Sequence, residues 1–146
     1  MIIIQDTREK VEKKHYLYRY FKKHNIEVVR RKLDVGDYML PDGKLSIDLK
    51  GGGLLELGND LYSDKKAFFK KYRKCYEQKI GLVVLIEEDI PDRTALISWK
   101  NEHTKLTGRE IMELMHTIEV SYGVKFEFCK REETAERIVN ILLTAK

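Results

Sequence analysis

Residues 36–50 read Gly-Asp-Tyr-Met-Leu-Pro-Asp-Gly-Lys-Leu-Ser-Ile-Asp-Leu-Lys, and they predict a β-hairpin with a site beside it. Pro41-Asp42-Gly43 is typical of a turn, and the residues after it predict a returning strand. Asp48 and Lys50 are two residues apart, so in a strand their side chains point to one face. Asp37 follows a glycine ahead of the turn. The pattern therefore predicts two carboxylates and a lysine on adjoining segments.

This set of side chains suits phosphodiester chemistry with a divalent metal. Asp37 and Asp48 can hold one Mg²⁺, a hard ion that takes oxygen ligands and retains several waters. Lys50 can orient or deprotonate a water, or neutralise charge that develops on a phosphate. A simpler interpretation stays open, because 36% of the residues are charged and Asp-x-Lys then arises by chance. Gly-Asp-Tyr is also an ordinary turn sequence.

Length and composition narrow the class of protein. The 146 residues predict one domain, 1–146, and a hydrophobic content of 42% is typical of a globular chain. No apolar run is long enough for a membrane span, so no membrane partner is expected. The beginning of the chain turns acidic too soon for a signal peptide, and Cys75 and Cys129 are too few for a disulfide framework. We therefore expect a reducing, cytoplasmic setting.

The net charge of +4 is less informative than its distribution. Seven basic side chains fall within residues 65–79, a set called the basic strip below: Lys65, Lys66, Lys70, Lys71, Arg73, Lys74 and Lys79. Such a cluster can bind the phosphates of a nucleic acid. It is equally typical of a solvated helix face.

Hydrophobic periodicity predicts alternating strands and helices. Strands are expected at 2–4, 28–33 (continuing towards residue 40), 45–50, 81–86 and 124–129, and helices at 11–25, 64–78, 107–123 and from 132 onward. A glycine break at 51–53 and one helical turn at 54–57 are expected between the third strand and the second helix. Phe68, Tyr72 and Tyr76 recur every four residues, which favours a core stripe over a base-stacking surface. The order predicts an α/β fold with helices on both faces of one sheet.

With these elements in order, the chain resembles the XPF-type structure-specific nucleases, a branch of the PD-(D/E)xK superfamily, and in particular short stand-alone bacterial and phage members. Residues 6–9, Asp-Thr-Arg-Glu, are similar to the family's Asp-x-Arg-Glu, and residues 36–38 to its Gly-Asp-Tyr. Residues 48–50, Asp-Leu-Lys, stand where the family has Glu-Arg-Lys. Residues 122–135 resemble its final strand and helix. The likeness extends over nearly the whole chain.

The sequence also departs from the family pattern. The arginine of Glu-Arg-Lys is replaced by Leu49, and the aspartate that often follows the lysine by four residues is replaced by Leu54. Glu56 is a candidate to replace that acid. No tandem helix-hairpin-helix segment is recognisable, so the chain is expected to bind DNA by itself, as a dimer or through another protein.

The resemblance implies a restriction-endonuclease-like three-layer α/β/α fold around a mixed sheet. It also implies a Mg²⁺- or Mn²⁺-dependent DNA endonuclease that acts on branched, flap or fork DNA in a bacterial or phage-infected cell. In that scheme Asp37, Asp48 and the backbone carbonyl of Leu49 are metal ligands, and Lys50 positions or activates water. The remaining catalytic candidates are Asp6, Arg8 and Glu9, and the candidates for DNA binding are Arg8 and the basic strip from Lys65 to Lys74.

Several alternatives stay open. Asp6 and Glu9 can instead cap the following helix. The chain can be a subunit that binds branched DNA without cutting it, or a Holliday-junction resolvase. A homodimer through the helices after residue 107 is expected, because the last helix carries a wide apolar arc: Ile138, Ile141, Leu142 and Leu143. A monomer in which these residues cover the sheet is the alternative.

Overall fold

The centre of the computed structural model, which describes residues 1–145, is a six-stranded mixed sheet. Its strands are β1 (Ile2–Gln5), β2 (Glu27–Arg30), β3 (Tyr38–Met39), β4 (Leu45–Lys50), β5 (Gly81–Glu87) and β6 (Lys125–Cys129). The order across the sheet is β2-β1-β3-β4-β5-β6. The short strand β3 is antiparallel to both of its neighbours, and every other pairing is parallel.

Helices cover both faces of the sheet. They are α1 (His15–Lys23), α2 (Gly53–Ser63), α3 (Lys65–Glu77), α4 (Gly108–Tyr122) and α5 (Thr134–Thr144). Helices α1 and α5 pack on one face, and α2, α3 and α4 on the other. The predicted three-layer α/β/α architecture with a mixed sheet is therefore confirmed. Within residues 1–145, none of the helices has the length and apolar character needed to cross a membrane.

Strand β5 joins the two cores. Val83 and Leu85 point to the α1/α5 side, while Val84 and Ile86 point to the side of α2, α3 and α4. Both sides are buried, which is why this parallel strand reads as an uninterrupted apolar run.

Strand β4 alternates differently, and this alternation creates the candidate site. Ile47 and Leu49 enter the apolar core under α1 and α5. Their neighbours Ser46, Asp48 and Lys50 are also buried, and because strand side chains alternate they lie on the opposite face, under α2 and α3. One strand thus carries an apolar face and a polar one.

The prediction of one strand running from residue 28 towards residue 40 was wrong. Strand β2 ends at Arg30 and pairs in parallel with β1 at the edge of the sheet, whereas β3 lies between β1 and β4. Gly36, with a φ of +77°, interrupts extended geometry between them. The predicted hairpin exists between β3 and β4, across the turn that the Gly43 amide closes on the Leu40 carbonyl.

The predicted glycine break is present as the Gly51-Gly52 turn, but the single helical turn predicted at 54–57 was wrong, because α2 is a full helix over Gly53–Ser63. Leu54, Leu57 and Leu61 are spaced to bury one face of α2. Gly58 lies inside this helix, where an added Cβ would be only 3.1 Å from the Ile111 side chain. This glycine permits close packing of α2 on α4.

Several helix ends lie where the sequence predicts them. Thr107 and Glu110 form the expected capping box of α4, and Gly123 ends that helix with a φ of +68°. Asn25 follows α1 with a φ of +56°, which asparagine tolerates. The segment predicted as a helix from residue 11 begins instead as a 3₁₀ turn, Val11–Lys13. The long connection before α4 contains a second 3₁₀ segment, Arg93–Ser98.

The apolar arc of α5 is used mostly within this chain. Ile138, Ile141 and Leu142 are buried against the sheet, and Leu143 is 43% exposed. On α4, Ile111 and Met115 are buried as well. Homodimer formation therefore stays a prediction, and Leu143 is the one member of the predicted arc that is exposed.

Gly36 offers a test of how the site is held. A Cβ at this position would overlap the Ser46 side chain, whose hydroxyl donates to the Val35 carbonyl at 2.7 Å. Gly36→Ala should therefore cost roughly 1–2 kcal/mol for the left-handed backbone and about 1–3 kcal/mol more for overpacking. Urea unfolding followed by circular dichroism measures the loss.

Gly123→Ala is the matched control, because Gly123 has a similar φ and nothing lies within 4 Å of an added Cβ. It should show only the backbone cost. Equal destabilisation of the two variants would contradict a steric role for Gly36.

Candidate active site

Asp37 is fixed beside β4 by backbone contacts on both sides. Its amide donates to the Ile47 carbonyl at 2.7 Å, and its carbonyl accepts from the Asp6 amide at 2.8 Å. Its carboxylate Oδ2 accepts from the Leu49 amide at 2.8 Å. The left-handed Gly36 turns the chain into this position, so the Gly-Asp pair predicted from sequence has a direct geometric reason.

Asp48 is 5% exposed and is paired with two lysines. The Lys71 ammonium lies 2.6 Å from Asp48 Oδ2, and the Lys50 ammonium lies 3.5 Å from the same atom. Lys71 comes from α3, one layer above the strand. Lys71 and Asp48 are 23 residues apart in the sequence, so no local sequence pattern indicates this pair.

Lys50 lies among three carboxylates. Its Nζ is 3.1 Å from Asp60 Oδ2, 3.5 Å from Asp48 Oδ2 and 4.0 Å from Glu56 Oε2. Both Asp60 and Glu56 belong to α2. Glu56, the candidate replacement for the family's missing acid, is thus at the edge of the cluster and also accepts from the Gly52 amide at 3.0 Å. Asp60 is closer to Lys50, and sequence analysis missed it because α2 was not predicted as a full helix.

Aromatic rings line the lysine side of the cluster. The ammonium groups of Lys50 and Lys71 lie 4.7 Å and 4.4 Å from the centre of the Phe68 ring, within cation–π range. Tyr72 is fully buried, Phe68 is partly buried, and Tyr76 is 63% exposed. The core interpretation of this stripe is therefore right for its first two members and wrong for Tyr76.

The two aspartates differ in electrostatic environment. Burial, followed by the nearby carboxylates of Asp48 and Glu9, raises the pKa of Asp37 well above its ordinary value. Burial also acts to raise the pKa of Asp48, but Lys71 and Lys50 outweigh it and lower that pKa. The Arg8 guanidinium also interacts with Asp37, but burial and the two carboxylates outweigh it, which favours a bound cation.

The pKa of Lys50 is raised as well. Burial acts to lower it, but Asp48 and Asp60 reverse the effect. Lys50 is consequently a protonated donor, suited to orienting a water or stabilising phosphoryl charge. Of the roles considered for it from sequence, deprotonating a water is the one this environment disfavours.

Asp6 has a different environment from Asp37. It is 1% exposed, and its Oδ1 accepts from the Leu33 amide at 2.7 Å. Its Oδ2 accepts from the Arg8 Nε at 2.6 Å and from the Arg8 amide at 3.1 Å. The 3₁₀ turn that follows has Lys10 at its N-cap without a side-chain bond, so the capping alternative for Asp6 and Glu9 is wrong.

Arg8 and Glu9 lie beside the aspartate pair. The Arg8 side chain is 66% exposed, and its guanidinium also donates through Nη2 to the Leu33 carbonyl at 2.8 Å. The guanidinium is therefore held in place while part of it stays accessible to a ligand. Glu9 Oε2 accepts from the buried Tyr38 hydroxyl at 3.1 Å and lies 3.6 Å from Lys14 Nζ. Its charge contributes to the raised pKa of Asp37.

The donor set fits a hard divalent cation held by few protein ligands. The N–H and C=O of one strand residue face the same neighbouring strand, so the Leu49 carbonyl lies at the edge where its amide bonds Asp37. Mg²⁺ commonly uses one or two carboxylates and keeps waters. Within residues 1–145 no group of three or more His, Cys, Asp or Glu side chains is arranged to hold a metal alone. The candidate donors at this site are two carboxylates and a carbonyl.

The basic strip divides into two parts around α3. Lys71 is partly buried and faces the cluster, whereas Lys66, Lys70 and Lys74 are exposed and recur every four residues along α3. Lys65 lies on the other flank, 5.9 Å from the Phe69 ring. Arg73 is exposed beside this lysine row. The strip is thus a charged ridge that ends at the buried Asp48.

A second basic surface borders the cluster and was not predicted. A cleft of about 560 Å³ begins at the Gly51-Gly52 turn after β4. Its ionisable lining residues are Glu12, Lys13, Lys14, His15, Arg19, Glu56 and Arg131. These positions come from three separate segments, so no single stretch of sequence shows the cluster.

Comparison with known proteins agrees with this geometry at the level of the fold. No protein-family model and no curated protein matches the sequence. Among solved structures, the chain is similar to XPF from Aeropyrum pernix, with 16% identity and a TM-score of 0.72 over 99% of this chain and 64% of that one. The chain has the XPF-type nuclease fold.

XPF from Aeropyrum pernix in complex with DNA is a second similar structure. Its identity is 15% and its TM-score 0.70, over 98% of this chain and 64% of that one. The chain therefore spans about two thirds of the length of these XPF chains. The sequence-based resemblance to XPF-type nucleases is confirmed as a likeness of fold.

The contacts of Asp6 predict a structural role that can be measured. Asp6→Ala leaves the buried Leu33 amide without its acceptor and frees Arg8, so the variant should lose roughly 1–3 kcal/mol of stability. The pKa of Asp6 is lowered: burial acts to raise it, but the bonds from Arg8 and Leu33 outweigh that effect. Because the folded-state pKa is lowered, ionised Asp6 stabilises the fold at pH values above its ordinary pKa of 3.8. That stabilisation is lost as the pH falls through the folded-state pKa.

The difference between wild type and Asp6→Ala should therefore be full at neutral pH and shrink below about pH 3.8. Urea unfolding over a pH series measures it. Asp34→Ala, at an exposed position in the same segment, is the control and should be nearly neutral. A loss in Asp6→Ala that does not depend on pH would contradict the ionised hydrogen-bonded role.

Proposed function

We propose that the chain is a Mg²⁺- or Mn²⁺-dependent endonuclease that hydrolyses phosphodiester bonds of DNA, with branched, flap or fork structures as its substrates. The observation that carries the proposal is the convergence of Asp37, Asp48 and Lys50 at the polar face of β4. The XPF-type fold supports it, since a protein of the same fold has a structure in complex with DNA. A two-carboxylate cluster with a protonated lysine suits hydrolysis of a phosphate ester.

Asp37, Asp48 and the Leu49 carbonyl would hold the ion. A bound divalent ion would polarise a phosphoryl oxygen and lower the pKa of its water. Lys50, fixed by Asp60 and Asp48, would orient the attacking water and stabilise charge that develops on the phosphate. Glu9, held by Tyr38, lies beside Asp37 and would add negative charge to the cation site.

DNA would lie over the end of β4, between the basic strip and Arg8. The exposed lysines of α3 would bind backbone phosphates without reading sequence. The guanidinium of Arg8 has a planar fork suited to two phosphate oxygens. Lys71 of α3 contacts Asp48 and Arg8 interacts with Asp37, so a phosphate bound between α3 and Arg8 would be placed next to Asp37 and Asp48.

Removal of either acid tests the metal site. Asp37→Asn and Asp48→Asn each keep the side-chain shape and delete a charged ligand, so each should abolish Mg²⁺- or Mn²⁺-dependent cleavage of flap and fork DNA. A reduction of at least about 100-fold is expected, in line with the loss of a principal electrostatic group. Cleavage of labelled DNA, with and without added metal, is the measurement.

Asp42→Asn, in the exposed turn between β3 and β4, is the matched control and should cut like wild type. Binding of the same DNA by all three variants distinguishes loss of chemistry from loss of substrate. If the wild type binds fork DNA but does not cut it with either metal, the chain is a binding module and the proposed activity is wrong.

The basic strip predicts a change in salt dependence. Replacing Lys70 and Lys74 together with Ala removes two exposed charges near the site. The slope of log K against log salt for duplex binding should then become shallower by up to about 1.8, because each phosphate contact contributes about 0.9. Fluorescence anisotropy at several salt concentrations measures this slope.

Lys22→Ala with Lys23→Ala is the matched control. These two lysines are exposed at the end of α1, on the other face of the sheet, and their removal changes the net charge equally. An identical slope change in both double variants would show that only the total charge matters, and that the basic strip is solvated surface.

A further inference from the structure

Lys71 differs from the exposed lysines of α3 because its ammonium reaches the buried cluster. Its Nζ lies 2.6 Å from Asp48 Oδ2, and its side chain is 27% exposed. Lys50 lies 3.5 Å from the same oxygen. The carboxylate that would bind a metal therefore already carries a cation of the chain on one of its oxygens.

Lys71 also adjoins the surface that would face DNA. Lys70 precedes it and Lys74 follows one helical turn later, and both are exposed. A phosphate bound by these two side chains would lie within a turn of Lys71 on the same helix. The flexible lysine stem and its three donors permit the ammonium to exchange between acceptors, so a phosphate oxygen and Asp48 compete for it.

We infer that Lys71 is an exchangeable counter-cation of Asp48, bound to the carboxylate in the DNA-free protein and transferred to a DNA phosphate when substrate binds. The inference rests on the proposed function, because it takes Asp48 as a metal ligand and α3 as a DNA contact. Its consequence is that DNA and the divalent ion bind with positive coupling. Lys71 is then a positioning residue that favours metal binding in the DNA-bound protein.

The contact between Lys71 and Asp48 predicts that DNA binding increases metal affinity. In the DNA-free protein, metal binding to Asp48 must displace a cation at 2.6 Å or tolerate its repulsion. When a phosphate binds Lys71, that cost is removed and the ion binds more tightly. By thermodynamic linkage, the ion increases DNA affinity by the same factor.

Mn²⁺ binding measured by the electron paramagnetic resonance of free Mn²⁺ tests this. The proteins are the wild type and Lys71→Met, each with and without a short fork DNA whose phosphorothioate linkages resist cleavage. Without DNA, Lys71→Met should bind Mn²⁺ about tenfold more tightly than wild type. Fork DNA should raise the Mn²⁺ affinity of wild type by about tenfold and that of Lys71→Met by less than about twofold.

Lys23→Met is the matched control, because it removes the same charge from an exposed position at the end of α1, on the other face of the sheet. It should retain the weak Mn²⁺ binding and the coupling of wild type. Lys71→Arg keeps the charge and should also retain weak binding. Thermal unfolding of each variant confirms that the compared proteins are folded.

The outcomes separate this inference from the proposed function. Equal Mn²⁺ affinity in Lys71→Met and Lys23→Met, or weaker binding in Lys71→Met, overturns the inference while the metal site stands. Asp48→Asn should abolish the binding measured in wild type with DNA. If Mn²⁺ binds no protein in the set, or binds Asp48→Asn as it binds wild type, the proposed metal site fails, and the inference fails with it.

Discussion

A buried carboxylate in the middle of the sheet constrains much of the structure around it. Asp48 lies on β4, whose other face is packed into an apolar core through Ile47 and Leu49. A charge in that position is costly unless it is paired. The pairing comes from Lys50 on the same strand and from Lys71 on α3, so the position of α3 over β4 and the ionisation of Asp48 depend on each other.

The cluster is better explained by chemistry than by stability. A buried ion pair often contributes no more than well-packed apolar residues would, because both charges are desolvated. Here the set contains Asp37, whose raised pKa reflects burial and neighbouring negative charge. Both lysines of the cluster lie at Asp48, so Asp37 is the less well compensated of the two carboxylates. Perturbed carboxylates of this kind concentrate at functional sites.

The two layers of helices cover chemically different faces of the sheet. Helices α1 and α5 cover an apolar face that includes Ile138 and Leu142. Helices α2 and α3 bring Asp60 and Lys71 to the polar face of β4, while the exposed side of α3 carries Lys66, Lys70 and Lys74. Lys71 therefore connects the charged ridge of α3 to the buried Asp48.

The sequence by itself determined the features that local patterns encode. Strands β4 and β5, helix α3 and the ends of α4 lie close to their predicted positions, because alternation, apolar runs, a capping box and a helix-ending glycine are set by nearby residues. The same alternation predicted that Asp48 and Lys50 share one face. Only the tertiary structure decided the rest. Strand β2 went to the sheet edge, because its valines pair with β1, distant in sequence. Helix α2 became a full helix because its leucines pack into the core shared with α3 and α4. The contacts of Asp48 with Lys71 and of Lys50 with Asp60 join separate elements, and such contacts depend on how layers pack, for which no local sequence pattern exists.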